Sequence, residues 1–270
     1  MKEQLEPVFV RSKQKIEYGD DKYTPAQLLS QRINNQREQG WWFPAGDPEF
    51  WKFSDKLLIK GGKALDLGLG FGKSAFFFAI NGMNVTGYET SQPAIKVVKS
   101  LKQIFNLPIE IKEEDFAAAD LGKNIYDTVF LAQTLVHSPS EEAAFELINK
   151  AIKALKPCGR IWIRTSGIYD GALQELKYYS MTYPEITYIA DNLYLAPCSC
   201  SGEWKVDPQL FLDPMEVAGF LAKNRMELEH TNLGPNEEVA NIIFGEDWNP
   251  DSPRKNVYNF ITIIAKKPFA

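Results

Sequence analysis

Between Lys63 and Thr165, short apolar runs alternate with longer stretches in which apolar residues recur every three or four positions. Short unbroken runs suit strands buried on both faces, and the longer period suits helices packed on one side. The pattern predicts strands over Ala64–Leu67, Asn84–Tyr88, Ile109–Lys112, Thr128–Leu131 and Arg160–Thr165. Helices are predicted between them. The first covers Lys73–Ile80 and stops at Asn81-Gly82. The second starts at the Thr90/Ser91 cap, carries Pro93 in its first turn and runs to about Asn106. The third opens with Ser138-Pro139-Ser140-Glu141, read as a capping box with proline at the first helical position. It runs to about Leu155 and stops at Pro157-Cys158-Gly159. Strands alternating with helices imply right-handed crossovers and a parallel sheet, so the predicted fold is a doubly wound α/β sandwich.

The flanks break this rhythm. Residues 1–24 are polar and mixed. Thr24 and Pro25 open a helical pattern that runs to Glu38, with Gly40 just beyond it. Trp41, Trp42, Phe43, Phe50, Trp51 and Phe53 follow as an aromatic patch. Such a patch either packs the N-terminal segment onto the domain or lines the mouth of a substrate site, and both readings stay open. Residues 168–212 hold tyrosines, prolines and β-like runs at Ile186–Ile189 and Leu193–Leu195, read as an insertion over the active-site edge. Asp213-Pro214-Met215-Glu216 is a second capping box, opening a helix to about Asn224. Strands are predicted over Glu227–Thr231 and Val257–Ala265, with a polar loop, Gly234–Lys255, between them. The organisation expected is a cover over residues 1–60 and one domain over 61–270 with its insertion at about 168–212.

Composition removes several function classes. The net charge is −5 and no stretch of Lys and Arg forms a basic stripe, which disfavours a nucleic-acid backbone as partner. No apolar run approaches the roughly 20 residues of a membrane span, and the N-terminus lacks a signal-peptide core. The three cysteines make no disulfide framework. Cys198 and Cys200 have no His or Cys cluster around them to complete a zinc site, so no metal is expected. A cytoplasmic protein is the default expectation.

The chemistry centres on Lys63–Lys73, KALDLGLGFGK. Gly68, Gly70 and Gly72 alternate between the first strand and the first helix, where unusual φ angles and close backbone approach to a ligand are required. A dinucleotide fingerprint needs a third glycine at position 73, which is Lys73. The stretch Asp66-Leu67-Gly68-Leu69-Gly70-Phe71-Gly72 instead resembles motif I of the class I S-adenosylmethionine-dependent methyltransferases. The resemblance covers about Lys63–Thr165. It implies a seven-stranded sheet with an antiparallel last strand and S-adenosylmethionine as cofactor. General layout places the chain nearest the small-molecule enzymes of the class, including the tellurite-resistance and thiol methyltransferase group.

The resemblance also assigns roles residue by residue. Gly68, Gly70 and Gly72 would pass under the methionine and ribose of the cofactor, and Asp66 belongs to the same cofactor-binding motif. Glu89, at the end of the second strand, would accept hydrogen bonds from the ribose hydroxyls. Asp115, with Glu114 as the alternate, would accept from the adenine amine, and Phe116 would lie against the ring. Gln133, in the loop after the fourth strand, would face the methionine and methyl group. His137 lies just beyond. It is a candidate general base, or equally a hydrogen-bonded cap residue. His230 reads as structural.

The reading is methyl transfer to a small-molecule acceptor by in-line displacement, with an aromatic-lined pocket drawing on Trp42 and Trp204. Two rivals are carried: a cofactor-binding regulatory module without turnover, and a nicotinamide-dependent oxidoreductase, which Lys73 disfavours.

Overall fold

The computed structural model describes residues 53–168, 187–190, 192–198, 205–232 and 260–269. The N-terminal helix, Trp41, Trp42, Trp51, Trp204 and the loop over Gly234–Lys255 lie outside the described residues.

The elements follow in chain order. α1 is a single turn, Ser54–Leu57. β1 (Lys63–Leu67), α2 (Lys73–Ile80), β2 (Asn84–Tyr88), α3 (Gln92–Ile104) and β3 (Ile109–Lys112) form the first half. β4 (Tyr126–Ala132), a 3-10 turn (Leu135–His137), α4 (Glu141–Ala154) and β5 (Leu155–Ser166) begin the second. β6 (Thr187–Ala190), β7 (Leu193–Cys198) and β8 (Lys205–Leu210) come next, then α5 (Pro214–Lys223), β9 (Glu227–Asn232) and β10 (Phe260–Lys266). Seven strands form one sheet in the order β3-β2-β1-β4-β5-β10-β9. β10 runs antiparallel to both β5 and β9, and the other neighbouring pairs are parallel. The predicted doubly wound α/β fold with an antiparallel last strand is therefore observed.

Alternation along each strand divides the core into two layers. Leu65, Leu67, Val129, Leu131, Ile161 and Ile163 face α4 and α5, meeting Leu147, Ile148 and Leu221. Ala64, Phe130, Trp162 and Ile264 face the other way, toward Phe76, Phe77 and Phe78 of α2 and Val97, Val98 and Leu101 of α3. The three α2 rings are fully buried, each contributing about 1.5–3 kcal/mol by burial. α2 is short and apolar on nearly every side because it is covered on nearly every side. On the same layer His230 of β9 rests on the Phe53 ring, centroids 4.3 Å apart, in the structural role expected of it.

Three boundaries differ from expectation for local reasons. The α4 cap is Ser140, not Ser138: the Ser140 hydroxyl oxygen accepts from Ala143 N–H at 3.2 Å. Ser138 instead closes the 3-10 turn, its N–H donating to Leu135 O at 3.0 Å. β5 starts at Leu155, so Pro157-Cys158-Gly159 lies within the strand. Cys158 takes φ 63 and donates its N–H to Lys267 O, and the pairing with β4 shifts register opposite these residues. The insertion forms a separate antiparallel sheet, β6-β7-β8. Its Leu193 and Leu210 join the α4-side core together with Leu135 of the 3-10 turn, which sets the small sheet beside the carboxyl end of β4.

Candidate active site

The sheet order reverses between β1 and β4, and the carboxyl ends of these strands flank the crevice where open α/β sheets take ligands. β1 delivers its glycines there. Gly68, Gly70 and Gly72 have φ of 79°, 51° and 83°, the left-handed region in which a side chain is strained. Space forbids a side chain at two of them as well. A Cβ on Gly68 would meet Thr134 Oγ1 at 2.7 Å, and one on Gly72 would meet the Phe76 ring at 2.7 Å. Gly72 also forms the N-terminal boundary of α2.

Glu89 closes the turn from the β2 side. Its Oε2 accepts from Gly70 N–H at 2.7 Å, and its Oε1 accepts from Thr90 and Ser91 N–H, both at 2.8 Å. One carboxylate thus joins the glycine turn to the start of α3. A carboxylate has about four acceptor sites, and three are engaged here, which leaves Oε2 with capacity for a hydroxyl donor.

Asp66 lies beneath the turn rather than on its open surface. It is 1% exposed. Its carboxyl is pushed up from 3.8 to about 8, chiefly by burial and in smaller part by the Glu89 charge, against the Ala75 N–H that favours the ionised form. The group is thus half-protonated near pH 8.

The β3 end carries Asp115 and Phe116. Asp115 is exposed, and its Oδ1 accepts from Ala117 N–H at 2.8 Å. Its backbone oxygen accepts from Ala118 and Ala119, so the segment is one tight turn. Phe116 is half-buried and packs on the α4-side core.

At the β4 end Gln133 adopts φ 59, and its N–H donates to Arg164 O of β5 at 2.6 Å. A non-glycine residue in this region costs of order 1–3 kcal/mol and is held by its surroundings. Thr134 hydroxyl donates to Leu67 O at 2.5 Å, tying the β4 end to the β1 end. His137 is half-buried at the end of the 3-10 turn, its N–H donating to Thr134 O. The fold therefore gathers Asp66, the three glycines and Glu89 into one hydrogen-bonded or packed unit. Thr134 packs directly against that unit, Gln133 and His137 flank it in sequence at the β4 end, and Asp115 and Phe116 lie at the edge beyond β2.

Sequence reasoning missed Arg164. It is 3% exposed in the last turn-ward part of β5, beside Ala132 and Thr262 in the sheet and two residues beyond buried Trp162. Burial pushes its guanidinium down to about 9, still a cation at neutral pH. An arginine within the run Arg160–Thr165 bears no local mark separating it from a solvent-facing strand residue. Among the described residues, Asp66 Oδ2, Gln133 Nε2 and Thr165 Oγ1 are buried atoms without a hydrogen-bond partner, and all three belong to the carboxyl-end portions of β1, β4 and β5. A buried unsatisfied polar atom costs about 1–3 kcal/mol, so Gln133 Nε2, beside the crevice, suits a ligand that supplies its partner. Among the described residues no His, Cys, Asp and Glu side chains group as a metal site.

Several known proteins are similar to this chain. Residues 64–159 match the family described as the methyltransferase domain. A ubiquinone biosynthesis O-methyltransferase of Coxiella burnetii is 26% identical over 136 residues, 47% of this chain and 57% of that protein. The match thus spans little more than half the length of that relative. A Methanosarcina mazei S-adenosylmethionine-dependent methyltransferase structure superposes with a TM-score of 0.59 at 21% identity, covering 83% of this chain and 98% of that one. The Burkholderia thailandensis 1,6-didemethyltoxoflavin-N1-methyltransferase, bound to its namesake compound and S-adenosylhomocysteine, gives 0.54 at 14% identity, covering 94% and 100%. At these identities the two structures speak for the fold. Together with the glycine turn and its acid, the domain match makes residues 64–159 similar to the methyltransferase domain.

Proposed function

We propose that the protein transfers the methyl group of S-adenosylmethionine to a small-molecule acceptor. The observation that carries this reading is the Glu89 carboxylate held under the glycine turn by Gly70 N–H, at the crevice where the sheet order reverses. In this reading Gly68, Gly70 and Gly72 let the cofactor lie against the backbone. Glu89 takes a ribose hydroxyl, and Asp115 offers its second carboxylate oxygen to the adenine amine with Phe116 beside the ring. Asp66 braces the turn from below. Gln133 lies toward the methionine and methyl group, and its buried Nε2 donor suits an oxygen on cofactor or acceptor.

Methyl transfer from a sulfonium is an in-line displacement, so alignment contributes most: well-oriented reactants gain roughly 7–11 kcal/mol of barrier. The acceptor comes from the side of β4, β5 and the small sheet. His137, between Thr134 and the α4 cap, is the group placed to take a proton if the acceptor atom is protonated at working pH. The two halves of the reading are the cofactor-binding domain over 61–270 and a cover over 1–60, in a protein of the cytoplasm.

Calorimetric titration with S-adenosylhomocysteine tests the site. Wild type is expected to bind in the micromolar range, and Glu89→Ala to bind about 100-fold more weakly, the loss of one or two charge-assisted hydrogen bonds. Wild-type binding without acceptor-dependent release of S-adenosylhomocysteine across an acceptor screen would leave a regulatory module in place of an enzyme.

A further inference from the structure

Lys150 projects from α4 toward the turn after β3, two elements away in the fold. Its ammonium donates to Phe116 O at 3.0 Å and to Ala117 O at 2.6 Å. The stem of Lys150 is half-buried, on a helix whose Leu147 and Ala151 lie in the core on which Phe116 also packs. The ammonium therefore reaches the turn from a rigid base.

The first of these bonds has a partner on the opposite side of the same peptide unit. Phe116 C=O and Ala117 N–H belong to one planar trans peptide and point in opposite directions. Lys150 holds the oxygen end. The hydrogen end is held by Asp115, whose Oδ1 accepts from Ala117 N–H at 2.8 Å. The peptide between Phe116 and Ala117 is thus a plate fixed by a cation on one edge and by the Asp115 carboxylate on the other. The Ala118 and Ala119 N–H bonds to Asp115 O hold the turn as a whole, so loss of the cation loosens this one plate, weakens the Ala117 N–H bond to Oδ1 and leaves the exposed carboxylate less fixed in direction.

We infer that Lys150 is a positioning residue for base recognition: through the Phe116–Ala117 peptide it orients Asp115 Oδ2 toward the exocyclic amine of the cofactor's adenine. This deepens the methyl-transfer reading and rests on it. Lys150 touches no part of the cofactor. It acts on discrimination between bases, because what it fixes is an acceptor that an amine satisfies and a carbonyl oxygen does not.

The test compares two ligands, S-adenosylhomocysteine and S-inosylhomocysteine, in which an oxygen replaces the 6-amine. Wild type is expected to favour the adenine compound. Lys150→Met keeps the apolar stem and removes the charge. It is expected to weaken S-adenosylhomocysteine about tenfold, the worth of a charged hydrogen bond, and to leave S-inosylhomocysteine unchanged, so that discrimination collapses. Lys150→Arg restores it. In the Asp115→Asn background Lys150→Met has no further effect on either ligand, since its route has been cut. Lys150→Gln takes the place of Lys150→Met, with the same readout, if the methionine variant does not fold. Equal weakening of both ligands, or of neither, overturns the inference while leaving the cofactor site intact. Wild type that binds neither ligand overturns the cofactor reading and this inference with it.

Discussion

The two sides of the crevice are built by different means. On the β1–β3 side, backbone does the holding: Gly70, Thr90 and Ser91 give their N–H groups to one carboxylate, and three glycines at positive φ clear the space above. On the β4–β5 side, the residues come from separated elements: Gln133, Thr134 and His137 from the segment after β4, Arg164 and Thr165 from opposite faces near the end of β5, with the small sheet alongside. A surface built of backbone needs residue types at fixed spacing. A surface built of side chains from separated elements tolerates many sequences and suits a partner that differs from one protein to the next. In the proposed reading the first side takes the common cofactor and the second the individual acceptor.

The strongest way to break that comparison is at Gly68. Gly68→Val places a branched side chain at φ 79 against Thr134 Oγ1, where even a Cβ would stand 2.7 Å away. Strain plus overlap should cost about 2–4 kcal/mol, abolish S-adenosylhomocysteine binding at millimolar concentration and lower Tm by at least about 5 °C. Retained binding with only a lower Tm would mean that the turn does not approach the ligand.

Asp66 sharpens the comparison through pH. Its folded pKa, about 8, stands above its ordinary value of 3.8. The folded protein therefore holds this proton more tightly than the unfolded chain does. The stability so gained is complete below pH 4 and is lost as pH rises toward 8, at a slope of up to about 1.4 kcal/mol per pH unit. Asp66→Asn cannot ionise. Its Tm should match wild type near pH 4 and exceed it increasingly toward pH 8, and thermal melts across that range read the difference. A wild type that gains on the variant as pH rises would show that Ala75 N–H outweighs burial.

Thr134 joins the two sides, and the effect expected there is the smallest. Thr134→Val removes the hydroxyl and leaves Leu67 O without that donor, for about 1–2 kcal/mol. Because the bond ties the β4 end to the β1 end, the variant should raise both the cofactor Kd and the acceptor KM, each a fewfold. A change confined to one of them would separate the two sides energetically.

The same contrast explains what could be read from the sequence. The unit from β1 through α2 to β2 was legible almost to the residue, because the apolar period changes at the glycines and again at Asn81-Gly82. The α4 cap was misread because Ser138 and Ser140 both satisfy a local cap pattern, and the 3-10 turn that claims Ser138 is a tertiary choice. β8 escaped notice because Asp207-Pro208 interrupts its strand pattern, yet as an edge strand of the small sheet it tolerates a residue without N–H. Arg164 carries no pattern of its own. Its meaning comes from Trp162 and Ala132 beside it, which only the folded sheet supplies.

The position of β10 has a consequence for how the chain reaches this state. β9 precedes β10 in sequence, and among the described residues its strand pairing is with β10 alone, which lies between β5 and β9. During synthesis β5 thus remains an open sheet edge, and β9 has no strand partner among the described residues, until residues 260–266 are available. Such late, long-range closure slows folding and leaves a strand edge exposed to other chains meanwhile. The crevice residues of β1 and β4 are synthesised well before that edge can be sealed. The last barrier to a native molecule is therefore expected at β5, on the acceptor side, and fusion or crowding that delays residues 260–266 should raise aggregation before it lowers the activity of molecules that do fold.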